Sequence, residues 1–154
     1  MDDEAFARAI VALSDTLYRV SSSQLRQRAD QEDAVQECLR RAWEKRRTLR
    51  EERYLKTWLI RILINECKNI YRRRPRAQEE LPESLAAPPA DGELMDALMN
   101  LPPKFRIPME LHYIEGYGIA EISRMLRIPD GTVKWRLSRG RALLKTELGE
   151  EDRP

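Results

Sequence analysis

Lys134, Arg136, Arg139, Arg141 and Lys145 crowd into one short stretch, IPDGTVKWRLSRGRALLK, with Trp135 and Ser138 among them. On a helix this stretch has two faces. Val133, Leu137, Gly140 and Leu144 recur at spacings of four, three and four, the stripe a helix presses on a core. The other face gathers Lys134, Trp135, Ser138, Arg139, Arg141 and Lys145. Long cations beside a hydroxyl and a flat ring can hold phosphates and reach base edges. A merely solvated basic face is the competing reading.

A second constellation lies upstream. Arg61, Asn65, Lys68 and Arg72 also recur at four, three and four, with Asn69 adjacent, and Arg72 leads a run through Arg73 and Arg74 to Arg76. Asparagine is a weaker helix former than Glu, Lys or Gln, yet its amide offers a donor and an acceptor that match a base edge. Two cations would suffice to satisfy a helix end. The excess suggests phosphates. By contrast, DQEDAVQE, Asp30 to Glu37, is acidic and is expected to open a helix, with Asp30, Glu32 and Asp33 as cap and first-turn carboxylates. Gln36 and Glu37 lie further in and are left for contact with a partner protein.

These side chains need elements to hold them. GIAEISRML, Gly118 to Leu126, reads as a short amphipathic helix with Ile119, Ile122 and Leu126 on one side. With Pro129 and Asp130 as start signals for the basic helix, the pair makes a helix-turn-helix, whose second helix enters the major groove. Three apolar stripes precede it: Phe6, Ile10, Leu13 and Leu17; then Ala34, Val35, Cys38, Leu39, Ala42 and Trp43; then Leu55, Trp58, Leu59, Ile62 and Ile70. They predict a helical bundle with Trp43 and Trp58 in its core. Between the two blocks, PRAQEELPESLAAPPADG replaces periodicity with four prolines and a closing glycine, which reads as a linker. The expected fold is all-α, with two small helical domains, residues 1–74 and 93–150, joined by a Pro-rich linker at 75–92.

Whole-chain quantities narrow the function classes. The chain has 154 residues, with 28 Lys plus Arg against 26 Asp plus Glu, a net charge of +2, so the basic character is local. No apolar run is long enough for a bilayer, and the MDDEAFARAI start lacks a signal peptide's basic flank and apolar core, so no membrane insertion and a cytoplasmic location are expected. Cys38 and Cys67 lack CxxC spacing, and with the single His112 they make no zinc set; buried free thiols are expected. No catalytic group, metal site or cofactor motif suggests itself, so the protein is expected to act by binding and not as an enzyme.

DQEDAVQECLRRAW, LKTWLIRILINECKNIYRRR, LPPKFRIPMELHYIEGYGIAEISRML and IPDGTVKWRLSRGRALL together resemble the extracytoplasmic-function (ECF) group of the sigma-70 family of bacterial transcription initiation factors. The resemblance covers nearly the whole chain in the family's order. It implies an N-terminal region 2 that binds core RNA polymerase and captures the minus-ten element, and a C-terminal region 4 that reads the minus-thirty-five element of promoter DNA. Carried over by residue, Asp33, Gln36 and Glu37 match the polymerase-binding surface, and Asn65 and Asn69 match positions facing the unpaired strand, flanked by Arg61, Lys68, Arg72 and Arg73. Lys134, Trp135, Ser138 and Arg139 match the base-reading face, with Thr132, Arg136 and Arg141 among the DNA contacts around it. Many family members also bind an anti-sigma factor. Three departures stand out: Trp135 replaces a usually small residue, Arg127 a frequent glycine, and Gly140 a common alanine. No C-terminal extension of the kind carried by some relatives is expected. The alternatives are a regulator that binds duplex DNA through its C-terminal module alone and a protein-interaction adaptor.

Overall fold

The computed structural model describes residues 1–73 and 92–149, and among them every regular element is helical. The described residues fall into two compact units, one within Met1–Glu83 and the other within Ser84–Pro154. The linker expected at 75–92 lies outside the described residues except at its last position, where Gly92 opens a helix instead. Arg74 and Arg76 lie outside them too.

The first unit contains α1 (Asp3–Ala12), α2 (Ser14–Gln24), α3 (Arg28–Glu44) and α4 (Leu55–Arg73). Asp2 caps α1, its Oδ1 accepting the Ala5 N–H at 2.7 Å. The first apolar stripe spans two helices. The chain breaks at Leu13, while Phe6, Ile10 and Leu17 still reach the core. In α3 the small residues Ala34, Cys38 and Ala42 recur every fourth position and are fully buried, which lets α4 approach closely. Cys38 Sγ reaches the Leu59 carbonyl at 3.5 Å across that seam. From α4 the core receives Leu59, Ile60, Leu63, Ile64 and Cys67. Both thiols are free and buried; burial pushes the Cys38 thiol far up and raises Cys67 to about 12.

Two expectations for this unit need correcting. The helix read from Asp30 starts at Arg28, so Asp30 sits inside the first turn and is buried, and Glu32 and Asp33 belong to the next turn. Trp43 is not core. It is 39% exposed, with the Arg46 guanidinium 4.0 Å and the Phe6 ring centroid 6.3 Å from its ring centroid. An amphipathic indole at the rim of a small bundle keeps one face for a cation.

The second unit contains α5 (Gly92–Met99), α6 (Pro103–Met109), α7 (Ile119–Leu126) and α8 (Asp130–Glu147). Pro108 removes an amide from α6, and the chain passes into a π-turn at Glu110–Ile114, where the Glu115 N–H donates to the Glu110 carbonyl at 3.1 Å. Gly116, at φ 81°, then turns the chain toward α7. The helix α7 buries Ile122 and Met125, the latter absent from the stripe drawn from the sequence, while Ile119 and Leu126 are only partly covered.

Candidate nucleic-acid interface

The turn between α7 and α8 sets how α8 is presented. Arg127 stands at φ 57°, ψ 48°, the left-handed conformation that favours glycine. Its N–H and that of Ile128 both donate to the Ser123 carbonyl, and Ser123 Oγ donates to the Ile128 carbonyl at 2.5 Å. One hydrogen bond donated and two accepted by Ser123 hold a turn that costs roughly 1 kcal/mol more with Arg than with Gly. Pro129 then serves as the N-cap of α8, not as its first helical residue, and Asp130 begins the helix with a carboxylate at the positive end.

On α8, Val133, Leu137 and Gly140 are buried, and Lys134, Trp135, Ser138, Arg139, Arg141 and Lys145 are exposed on the other side. Thr132 and Arg136 are half-buried at the flank. Lys134, Arg136, Arg139 and Lys145 form no ion pair with the described residues, so their charge faces outward uncompensated. A β-carbon at Gly140 would run into the Met109 side chain of α6. Close packing thus explains a glycine at this position of the helix.

Arg141 has a partner that the sequence pattern missed. Its Nη1 donates to the Tyr113 hydroxyl at 2.6 Å. Tyr113 comes from the π-turn, 28 residues earlier, and its ring meets His112 edge-on at 4.7 Å. His112 Nδ1 lies 2.8 Å from the Tyr117 carbonyl, so this histidine braces the turn instead of joining a metal set. No group of side chains suited to a metal occurs among the described residues.

In the first unit, the exposed Asn65, Asn69, Arg72 and Arg73 and the half-buried Arg61 and Lys68 are carried by α4. The Arg73 Nε donates to the Asn69 carbonyl at 3.3 Å, which anchors a cation of the run to the helix end. A groove of about 810 Å³ separates this wall from α3. Asp33, Gln36 and Glu37 line one side of it and Asn69, Arg72 and Arg73 the other, so most of the two sets read separately from the sequence share one groove. Asn65 is not among its lining residues.

The base of the groove is an ion-pair network. Arg41 Nε lies 2.8 Å from Glu66 and 3.2 Å from Glu37, while Arg40 pairs with Glu37 and, at 2.9 Å, with Glu44. Hydrogen bonding from Arg40 holds the Glu37 carboxyl below its ordinary value. Asp33 and Gln36 are exposed and lie outside this network. Sequence reading also missed a cavity of about 300 Å³ beneath the α3–α4 connection, lined by Phe6, Arg46, Arg47 and Arg50 among others. Arg46 is held there by Asp3 at 2.9 Å. The run KRRTLREER signalled charge, but not the enclosure that α1 supplies.

A helix-turn-helix with outward cations in one unit and a bundle with an amide-and-arginine wall in the other define a two-part helical DNA-binding protein. Sigma-70 region 2 matches residues 6–77, and Sigma-70, region 4 matches residues 91–144. The chain is 33% identical to the ECF RNA polymerase sigma factor SigM of Mycobacterium tuberculosis over 141 residues, 86% of this chain and 71% of that protein. It is 28% identical to the ECF RNA polymerase sigma factor SigW of Bacillus subtilis, over 96% of this chain and 90% of that one. Among solved structures it is similar to the sigma factor RpoE of Bartonella quintana in complex with the anti-sigma factor NepR, at TM-score 0.83 and 25% identity, over 97% and 99% of the two chains. CnrH in complex with the cytosolic domain of CnrY aligns at TM-score 0.75 and 25% identity, over 99% and 92%. The protein belongs to the ECF sigma factors of the sigma-70 family. It is therefore a transcription initiation factor that acts by binding, directing RNA polymerase to promoters through regions 2 and 4.

Proposed function

We propose that residues 1–74 bind core RNA polymerase through Asp33, Gln36 and Glu37 and capture the minus-ten strand through Asn65 and Asn69. Arg61, Lys68, Arg72 and Arg73 hold its phosphates. Residues 93–150 read the minus-thirty-five element with Lys134, Trp135, Ser138 and Arg139, while Thr132, Arg136 and Arg141 contact the flanking backbone, and 75–92 link the two. The observation that supports this most directly is the groove that brings Asp33, Gln36 and Glu37 of α3 together with Asn69, Arg72 and Arg73 of α4. Exposed carboxylate and amide groups suit a protein partner, and exposed arginines beside an amide suit a nucleic-acid strand.

Reading a base on its Watson-Crick edge means taking it out of the duplex, which costs a few kcal/mol. Polymerase binding and backbone contacts offset that cost, so the protein alone binds promoter duplex weakly and the holoenzyme prefers a template already unpaired at the minus-ten element. Both activities belong in the cytoplasm, and no helix among the described residues is long and apolar enough to cross a membrane. An anti-sigma factor is a further partner on this reading, in keeping with the NepR complex of the structurally similar RpoE.

The test must spare the ion-pair network. Glu37 is tied to Arg40 and Arg41, so changing it would disturb the fold as well as the surface. Asp33→Asn with Gln36→Ala is the cleaner variant. It should remain folded and be recovered with core polymerase at about a tenth of the normal level or less, from the loss of two interface contacts. Asn65→Ala should leave that recovery intact and reduce permanganate reactivity of melted thymines. Equal recovery of the double variant would remove the α3 wall from the polymerase surface, and normal melting in Asn65→Ala would remove α4 from strand capture.

A further inference from the structure

Trp135 is the sole large apolar side chain that α8 exposes among the described residues, at 57%. It occupies the sixth position of the helix, between Lys134 and Arg136 and one turn from Ser138 and Arg139. An indole left loose in that place would fold back onto the protein or sweep the groove. Here one side of it is fixed. The Phe105 ring, buried in α6, lies 5.8 Å away at an interplanar angle of 48°, and the Lys104 ammonium stands 5.1 Å from the Phe105 ring centroid. That is a tilted aromatic pair capped by a cation, with the remaining indole surface turned to solvent.

The major groove offers such a surface a single apolar feature, the 5-methyl group of thymine. Adenine, guanine and cytosine present only donors and acceptors there, which an indole covers without repaying apart from its one N–H. Covering polar base edges without a partner disfavours them, and covering a methyl favours it. Resting on the assignment of α8 to the minus-thirty-five element, we propose that Trp135, propped by Phe105, is a specificity-determining residue that selects thymine at one position of that element by apolar contact with its 5-methyl group.

Deoxyuridine isolates the methyl, because it keeps every hydrogen-bonding group of thymine. Duplexes selected by the holoenzyme from a promoter library would be resynthesised with deoxyuridine in place of each thymidine of the upstream element in turn, and holoenzyme affinity compared. One position should lose about fourfold, the factor for removing a single buried methyl worth about 0.8 kcal/mol. In Trp135→Ser that position should show no methyl effect and accept cytosine as readily, while circular dichroism verifies that the helix is folded. Trp135→Phe should retain part of the preference. Deoxyuridine tolerated everywhere by the unmodified protein would overturn the proposal. If Arg139→Ala still altered base preference in that case, the reading of α8 would stand without it. If neither Trp135 nor Arg139 variants altered the preferred upstream sequence, the assignment of α8 would fail, and the proposal with it.

Discussion

The two units handle charge in opposite ways. On α3 and α4 of the first, Arg40, Arg41, Glu37, Glu44 and Glu66 are tied into one network, and the Glu66 side chain is only 9% exposed. On α8 of the second, Lys134, Arg136, Arg139 and Lys145 pair with nothing among the described residues. A charge with an internal partner has already lost water and gained a contact, so removing its partner destabilises the fold. An unpaired, exposed cation gives the fold nothing; its attraction is kept for an outside anion. Both surfaces are rich in charged side chains, and internal pairing is what distinguishes them.

The sharpest way to break this contrast is to remove an arginine from each unit. Arg41→Ala leaves the mostly buried Glu66 carboxylate at the base of the groove without its 2.8 Å partner and should destabilise the first unit by about 2 kcal/mol in chemical denaturation. A change under 1 kcal/mol would mean that Arg41 is as dispensable as a surface charge. Arg139→Ala should leave stability within about 0.5 kcal/mol, yet cost about 1 to 3 kcal/mol at a single base position in promoter-library transcription. Arg141→Ala should weaken all promoters alike and lower the salt dependence by about one phosphate contact. Because Arg141 is also bound to Tyr113, Tyr113→Phe should produce a smaller, sequence-independent loss and none once Arg141 is already Ala.

A pH titration sharpens the contrast from the side of the core. Both thiols lie in the first unit with raised pKa values, Cys67 at about 12. The unfolded chain releases these protons near pH 9 and the folded chain holds them, so stability falls as pH rises above 9. At pH 10 the loss should be on the order of 1 kcal/mol per thiol. Cys67→Ala should make that alkaline decline shallower, and neither thiol should react with a thiol reagent at pH 8 until the protein is denatured. The smallest expected effect concerns the α7–α8 turn. Arg127→Gly relieves a left-handed arginine and should stabilise the second unit by up to about 1 kcal/mol in thermal unfolding, with promoter preference unchanged.

Helical period, burial and the order of the two units were legible in the chain because they depend on local spacing. Val133, Leu137 and Gly140 go inward and Lys134 and Arg139 outward at any reasonable register of an α-helix, and the same holds for Leu59 against Asn65. The lack of CxxC spacing and of a metal set also pointed to two free thiols, and both are buried. Helix ends were less legible: Asp30 has the chemistry of a start signal, but α3 begins at Arg28 because Leu25 closes the preceding helix just upstream and leaves little chain between them.

What spacing could not supply was partnership across long sequence separations. Nothing near Gly140 in the chain announces Met109, and nothing near Arg141 announces Tyr113; both meet because Pro108 and the π-turn redirect α6 against α8. Likewise Glu37 and Asn69 were read as belonging to separate surfaces, and only the packing of α3 on α4 makes them walls of one groove. Trp43 fell in an apolar stripe, but a small bundle has too little interior to cover every large ring, so the tertiary arrangement left it at the rim beneath Arg46. The chain by itself determined which cationic, amide and acidic side chains share an outward helix face, since side-chain chemistry and helical period are local. Tertiary structure alone decided which of those charges are spent on one another and which remain for a partner, because an ion pair forms only where packing brings two distant residues within reach.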